Sequence, residues 1–212
     1  RLIIIEGEAG SGKTRLLEEV AFQAQEDFNL VVFCIITITE LGNKYGTIKM
    51  CLSLLLGLDK CCSAASRKTK LSQYTLGTDL DDQLYLLNPI LNLDFPTPKD
   101  LKNDPLLLKN PKYNKMCRKL IEGLVTQARL HNKQKHSIVF CLDDINYIHN
   151  ESWTLLPALA KDKQSLVIGT IRPSGYKDLP KIAKIMVNHE NTKKVVVSKI
   201  EGLPFCLVSL LK

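Results

Sequence analysis

Short apolar runs, bounded by glycine or by polar residues, recur along the chain. They lie at residues 2–6, 30–36, 137–142, 166–171 and 194–200. Runs of this length that are rich in valine and isoleucine predict buried β-strands. Because the run at 30–36 is apolar throughout, it favours a parallel strand that helices cover on both faces.

Amphipathic stretches lie between most of these runs. Apolar residues at three- and four-residue spacing predict helices at residues 13–25, 47–57, 116–128, 152–160 and 181–187. Asn150 or Ser152 would cap the fourth of these helices, and Trp153 would pack it against the sheet. Strands that alternate with helices predict an α/β fold with a mostly parallel five-stranded sheet, right-handed crossovers and flanking helices.

The segment at residues 58–112 has a different pattern. It contains five of the nine prolines, and its one clear apolar stretch lies at residues 82–87. A long loop without secondary structure is uncommon inside a compact domain. We therefore expect a helical insertion here, with a helix around 82–87 and an irregular remainder.

Composition and charge limit the classes of protein to which the chain can belong. Of its 212 residues, 45% are hydrophobic and 24% are charged, which excludes a disordered or collagen-like chain. No run of about 18 apolar residues occurs, so no membrane span is expected. The net charge of +7 permits a polyanionic partner. Basic residues are dispersed and aromatic residues make up only 6%, so we do not expect nucleic acid as a partner.

The N-terminus and the cysteines give expectations about domain organisation and cellular compartment. The chain opens inside an apolar run, without a methionine and without a signal peptide. We expect a single domain over residues 1–212 that is a fragment of a longer chain. Seven cysteines without C-x-x-C spacing argue against a disulfide framework and a zinc site, and favour a reducing, cytoplasmic compartment. Cys34 and Cys141 are expected to act as small hydrophobic residues within their strands.

A glycine-rich motif follows the first predicted strand. Gly7-Glu8-Ala9-Gly10-Ser11-Gly12-Lys13-Thr14 matches the pattern G-x-x-x-x-G-K-[ST] and opens the first predicted helix. The glycines would let main-chain amides of residues 7–15, Arg15 included, surround a phosphate group at the helix N-terminus. Lys13 would reach the β- and γ-phosphates, and Thr14 would offer its hydroxyl to Mg²⁺. The sequence therefore predicts a P-loop that binds ATP with Mg²⁺.

A P-loop needs a metal-binding acid at the end of another strand. Asp143 and Asp144 follow the apolar run that ends at Leu142, which is the Walker B pattern. We expect Asp143 to contact Mg²⁺. Asp144 stands where many such ATPases place a water-activating glutamate, and its side chain is one methylene shorter.

A third apolar strand ends in Thr170-Ile171-Arg172. If this strand neighbours the one that carries Asp143, Thr170 or Arg172 would lie close to the γ-phosphate. Either group could sense that phosphate or stabilise charge in the transition state. We therefore include Lys13, Asp144 and Arg172 as candidate catalytic residues.

Several segments together carry a family resemblance. LIIIEGEAGSGKTRLLEEV, IVFCLDDINYIHNESWTLL and SLVIGTIRP resemble the AAA-type ATPase module of STAND-class signalling proteins. LLGLDKC and LLNPILNLDFP are similar to segments of the soluble, bicarbonate-responsive adenylyl cyclase family. The resemblance implies a regulatory ATP-binding module that contacts flanking domains of the same chain. In that family, cyclase domains elsewhere in the parent make cAMP, and relatives often carry glutamate at the position of Asp144.

Three other functions are compatible with a P-loop. The module could be a scaffold that binds nucleotide without hydrolysing it. It could be a DNA-engaged ATPase of the origin-recognition type, although no recognition helix is evident. A small-molecule or nucleotide kinase would need a lid with several arginines, and the six arginines of this chain form no cluster in the sequence.

Overall fold

One parallel sheet forms the centre of the molecule. The computed structural model describes residues 1–37, 42–98, 111–131, 137–161, 164–190 and 192–197. The strands in that part are Leu2–Glu6 (β1), Val31–Ile36 (β2), Ile138–Asp143 (β3), Ser165–Ile171 (β4) and Thr192–Val196 (β5). Their order is β2-β3-β4-β1-β5, and every pair is parallel. The prediction of a five-stranded parallel sheet is confirmed.

Helices lie on both faces of the sheet. They are Lys13–Glu26 (α1), Gly46–Leu55 (α2), Ala64–Thr75 (α3), Asn88–Leu91 (α4), Pro111–His131 (α5), Asn150–Leu155 (α6), Pro157–Ala160 (α7) and Lys181–Val187 (α8). Short 3-10 helices cover Leu58–Lys60, Asp81–Leu87, Ile145–Tyr147 and Pro173–Tyr176. The predicted helices are present, except that the one expected at 152–160 is divided into α6 and α7.

The alternation of side chains along the strands divides the core into two clusters. On β3, Phe140 and Leu142 belong to the larger cluster, which also contains side chains of α2 and α5. Val139 and Cys141 face the opposite way, into a smaller cluster that α1 covers. Since successive strand residues point to opposite faces, this arrangement makes an α/β/α sandwich with the carboxyl ends of β1, β3 and β4 at one edge.

Residues 58–98, which we call the helical insertion, are mostly helical, so the expectation of a helical insertion is confirmed, but the expectation of an irregular remainder is wrong for α3. The stretch 82–87 is a 3-10 helix that leads into α4. Helix α3 is not predicted, because only Leu71, Tyr74 and Thr75 among its 12 residues are buried. A capping box between Ser63 and Ser66 begins it. Residues 99–110 of the predicted insertion lie outside the described part.

Two local expectations are wrong. Neither Asn150 nor Ser152 caps α6. Asn150 is the first helical residue, His149 occupies the N-cap position, and no side chain caps the helix. The hydroxyl of Ser152 instead donates to the Lys44 carbonyl, 3.1 Å away. Leu156 separates α6 from α7 although its own backbone is helical, with φ of −51° and ψ of −37°. The interruption follows from Pro157, which has no amide hydrogen to bond the carbonyl four residues earlier. Trp153 is buried in the larger cluster, as expected.

The expectation that β2 is covered on both faces is also wrong. Among the strands that the structure describes, β2 pairs only with β3 and forms one edge of the sheet. Ile36 is 56% exposed, and Cys34 is exposed as well, whereas Cys141 on β3 is buried as expected. For β5, the structure gives Thr192–Val196 in place of 194–200, and residues 198–200 lie outside the described part.

Candidate nucleotide-binding site

The loop between β1 and α1 requires glycine at three positions for two different reasons. A Cβ atom at Gly7 would lie 2.6 Å from the Val197 carbonyl and 2.5 Å from the Ser11 hydroxyl. Gly10 and Gly12 have φ angles of +77° and +91°, which side chains other than glycine rarely adopt. The glycines of the motif therefore hold the loop in a tight turn that begins directly at the end of β1.

The start of α1 leaves hydrogen-bond donors for a ligand. Gly12 is the N-cap, no side chain caps the helix, and its first turn contains no acid. The Ser11 hydroxyl is buried and has no hydrogen-bond partner among the described residues. Main-chain amides at a helix N-terminus attract anions, so the donors here match the oxygens of a phosphate chain.

Lys13 lies within the loop. It is 7% exposed, and its ammonium donates to the Glu8 carbonyl at 2.7 Å. Among the described residues, no acid pairs with it. The side chains of Glu8 and Ala9 are exposed, as is that of Arg15 on the outer side of α1. Lys13 is thus a positive charge that the loop itself holds and that an anionic ligand could take over.

A hydroxyl and a carboxylate meet beside this loop. The Thr14 hydroxyl donates to the two carboxylate oxygens of Asp143 at 3.0 and 3.2 Å, across 129 residues of sequence. Hydroxyl and carboxylate oxygens are ligands that Mg²⁺ accepts, together with water and phosphate oxygens. The donor set of Thr14 and Asp143 therefore fits Mg²⁺, and the loop fits the phosphates that would share it.

Thr170 orders both acids that follow β3. Its buried hydroxyl donates to Asp143 Oδ1 at 2.6 Å and accepts from the Asp144 amide at 2.7 Å. Because β4 lies directly beside β3, these bonds fix the direction of the Asp143 carboxylate. Thr170 is thus a positioning residue for Asp143, and it does not itself face open space.

Asp144 and Arg172 form an ion pair next to the acid that would bind metal. Their closest charged atoms are 3.4 Å apart, and both side chains are partly exposed. Asp144 has a φ of +54°, a left-handed conformation that aspartate tolerates better than most residues. The backbone amide of Arg172 also approaches the side-chain oxygen of Asn146, at 3.4 Å. Two of the three candidate catalytic residues, Asp144 and Arg172, are thus in contact with each other.

Two further groups at this edge escape prediction from sequence. The hydroxyl of Thr37, at the end of β2, lies 2.7 Å from the Asp143 carbonyl and 2.6 Å from the Asp144 carbonyl. The Tyr176 hydroxyl donates to the Glu6 carboxylate at 2.9 Å, directly before the loop. Burial, followed by this bond and the Glu6 charge, raises the pKa of Tyr176. Both contacts join distant segments, so no local pattern marks them.

Comparison with known proteins places the chain in a family. A family model described as an AAA ATPase domain matches residues 1–169. Adenylate cyclase type 10 of Oryctolagus cuniculus is 25% identical over 203 residues, which cover 95% of this chain. The protein of the same name from Homo sapiens is 23% identical over 203 residues, again 95% of this chain. The chain spans about 12% of the length of these relatives.

One solved structure matches most of this chain with a low score. A structure of the bacterial conjugative coupling protein TrwBdeltaN70, in an unbound monoclinic form, is 12% identical and has a TM-score of 0.36. The match covers 87% of this chain and 65% of the other. The fold assignment therefore rests on the sheet topology and on the family match. In the described part of the chain, none of the helices has the length and apolar character that crossing a membrane requires.

Proposed function

The chain belongs to the AAA ATPase domain family, and from that premise we propose that it binds ATP with Mg²⁺ and hydrolyses it slowly. The loop at residues 7–15 would hold the phosphates, and Thr14 and Asp143 would hold the metal. We further propose that this activity serves as a regulatory switch in a longer, cytoplasmic signalling protein. The observation that carries the proposal is the contact between the Thr14 hydroxyl and the Asp143 carboxylate, at 3.0 Å.

That contact supports metal binding because it joins two motifs. Thr14 follows the glycine-rich loop, and Asp143 ends a strand that does not neighbour β1 in the sheet. A loop that turned for structural reasons alone would not need an acid from β3 beside it. Thr170 holds the same carboxylate from a third strand, so its direction is set before any ligand arrives.

The residues of the loop would bind and orient the triphosphate. Lys13 would exchange its bond to the Glu8 carbonyl for a bond to phosphate oxygens, and the Ser11 hydroxyl and the first amides of α1 would donate to the same chain. Bound Mg²⁺ would supply neutralisation of the negative charge that develops on the phosphoryl group. These donors are fixed by the backbone, so they need little reorganisation during the reaction.

Asp144 and Arg172 would act on the water and on the γ-phosphate. Asp144 would accept a hydrogen bond from the attacking water and take its proton. Arg172 would stabilise negative charge on the phosphoryl oxygens once it leaves the Asp144 carboxylate, from which it is now 3.4 Å away. Because Asp144 is shorter than glutamate and is engaged with Arg172, we expect hydrolysis to be slow.

The same ion pair favours a second candidate function. If Arg172 stays on Asp144 after ATP binds, no group activates water, and the module is a scaffold that binds nucleotide without hydrolysing it. The two functions share every phosphate and metal contact. They differ only in whether Asp144 becomes available.

The regulatory role is proposed from the relatives. The two adenylate cyclase type 10 proteins match nearly the whole chain, which supports a module of a soluble adenylyl cyclase-like protein whose cAMP synthesis takes place in other domains. Contacts of Lys13 and Arg172 with the γ-phosphate would differ between ATP and ADP. Such a difference could change how flanking domains of the same chain pack.

Single-turnover hydrolysis tests the proposal and separates the two candidates. Protein in excess over radiolabelled ATP and Mg²⁺ should release phosphate over minutes to hours, and Asp144→Asn should bind ATP with similar affinity and release none. Asp178→Asn, which removes an exposed carboxylate elsewhere, should match the unaltered chain. Binding without any phosphate release would support the scaffold, and failure to bind ATP would contradict both.

A further inference from the structure

Two cysteines lie side by side on neighbouring strands. Cys34 of β2 and Cys141 of β3 are register partners in the parallel ladder. Adjacent strands are about 4.8 Å apart and register partners point to the same face of a sheet. That spacing falls within the range of about 4.4–6.8 Å between Cα atoms that a disulfide can join. The backbone therefore holds the two thiols at a distance from which a bond can form without a change of fold.

The surroundings of the two thiols differ sharply. Cys34 is exposed because β2 is an edge strand. Cys141 is fully buried in the smaller core cluster, which contains Leu17 of α1 and Ile168 of β4. A reagent from solution therefore reaches Cys34 directly, and Cys141 can react only with what is already attached to Cys34.

The contact between the thiols also divides their chemical roles. The hydrogen bond with Cys141 lowers the pKa of Cys34 to about 7, and outweighs burial and the Glu18 charge, which both raise it. The thiolate is the nucleophile in thiol–disulfide exchange, and it attacks best when its pKa is near the ambient pH. Cys34 is thus the attacking group, and the buried Cys141 is the second thiol within reach of it.

We propose that Cys34 and Cys141 are a reversible redox modification site, whose substrate is a low-molecular-weight disulfide such as glutathione disulfide. The Cys34 thiolate attacks one sulfur of the oxidant, the S–S bond of the oxidant breaks, and one thiolate leaves and takes up a proton. Cys141 then loses its proton and attacks the Cys34 sulfur, which releases the second thiol. In total, two cysteines lose two electrons and two protons, and the oxidant becomes two thiols.

The site lies directly beneath the proposed metal site. Cys141 is two residues before Asp143 on β3 and points to the same face. The Thr37 hydroxyl already ties the end of β2 to the carbonyls of Asp143 and Asp144. A disulfide would link β2 to β3 one side-chain layer below these contacts. The proposal rests on strand register, on the difference in exposure and on the hydrogen bond between the two thiols, so it does not depend on ATP binding.

Mass spectrometry after treatment with glutathione disulfide tests this site. The chain should carry Cys61→Ser, Cys62→Ser and Cys206→Ser, which remove the partly exposed Cys61, the exposed Cys62 and the one thiol outside the described residues. We expect a loss of two hydrogens, a peptide linked between Cys34 and Cys141, and full reversal by dithiothreitol. The rate of Cys34 alkylation by iodoacetamide in the reduced protein should rise with pH, with a midpoint near 7.

Substitutions of each cysteine separate the two steps of the reaction. Cys141→Ser should stop at a stable glutathione adduct on Cys34, and Cys141→Ala should do the same if the buried hydroxyl of serine impairs folding. Cys34→Ser should leave Cys141 unmodified in the native state and modified only in urea. The proposal is contradicted if the parent protein retains the adduct as long as Cys141→Ser does, or if Cys34 does not react at all.

Discussion

The loop after β1 and the helical insertion place opposite demands on the sequence. In the loop, the backbone approaches Gly7 too closely for a Cβ atom, and Gly10 has a positive φ. Glycine is therefore required at both positions. In the insertion, Leu71 and Leu84 are buried among many other apolar side chains, and another residue of similar size and polarity would pack nearly as well. The loop is therefore recognisable from an eight-residue motif, whereas no short motif identifies the helical insertion.

The loop and the helical insertion should also differ in what they contribute, namely ligand binding and stability of the fold. Loop residues contribute few side chains to the core, and their donors point toward where a ligand would lie. Buried residues of the insertion belong to the larger hydrophobic cluster, together with α2 and α5. We therefore expect substitutions in the loop to change affinity for ATP, and substitutions in the insertion to change the free energy of unfolding.

The largest effect should come from Leu71→Ala in the insertion. Leu71 is 0% exposed, and truncation of such a leucine costs about 2–5 kcal/mol of stability through lost burial and a cavity. Urea denaturation measures the loss, and ATP affinity of the folded protein should not change. Leu76→Ala is the matched control, since Leu76 is 81% exposed. An equal loss in both variants would contradict the structure of the insertion.

Lys13→Ala should produce the opposite result. Loss of a charge-assisted hydrogen bond costs roughly 1.5–3 kcal/mol, which corresponds to about 10- to 150-fold weaker ATP binding. The urea midpoint should fall less than in Leu71→Ala, because among the described residues Lys13 has one hydrogen bond, to the main-chain carbonyl of Glu8 in its own loop. Titration with a fluorescent ATP analogue measures the affinity, and exposed Lys177→Ala is the control. Unchanged affinity in Lys13→Ala would show that the loop is not the phosphate site.

Ser63→Ala should give the smallest effect of the three. Ser63 is the N-cap of α3, and its hydroxyl accepts a hydrogen bond from the Ser66 amide at 3.1 Å. Loss of an N-cap costs about 1 kcal/mol, with no effect on ATP affinity. Ser72→Ala, in the same helix and outside the cap, should not destabilise the protein. Equal stability of both variants would mean that the capping box contributes nothing.

The elements of the fold that could be predicted from sequence are those that a short segment of the chain determines by itself. Apolar runs give the strands, and the glycine-rich motif gives the loop between β1 and α1. Helix α3 is missed because few of its residues are buried, so its hydrophobic pattern is weak. The exposure of Cys34 is missed because an apolar run does not show whether its strand is central or at an edge.

Within the candidate site, residues from separate sequence motifs lie together in the structure, whereas the supporting residue Thr37 belongs to no motif. The structure brings Thr14 and Asp143 into contact, as a P-loop and an acid after β3 would require. Thr37 is absent from the predicted set, because its partners Asp143 and Asp144 lie more than a hundred residues away. Only the pairing of β2 with β3 brings them together, and strand order is not a local property.

The most direct measurement of the central claim is the effect of Mg²⁺ on ATP affinity. Isothermal titration with and without Mg²⁺ should show tighter binding with the metal for the unaltered chain. In Asp143→Asn, which keeps the shape of the side chain and removes its charge, this enhancement should be lost while metal-free affinity remains. If Asp143→Asn shows the same enhancement as the unaltered chain, Asp143 does not hold the metal and the proposed site is wrong.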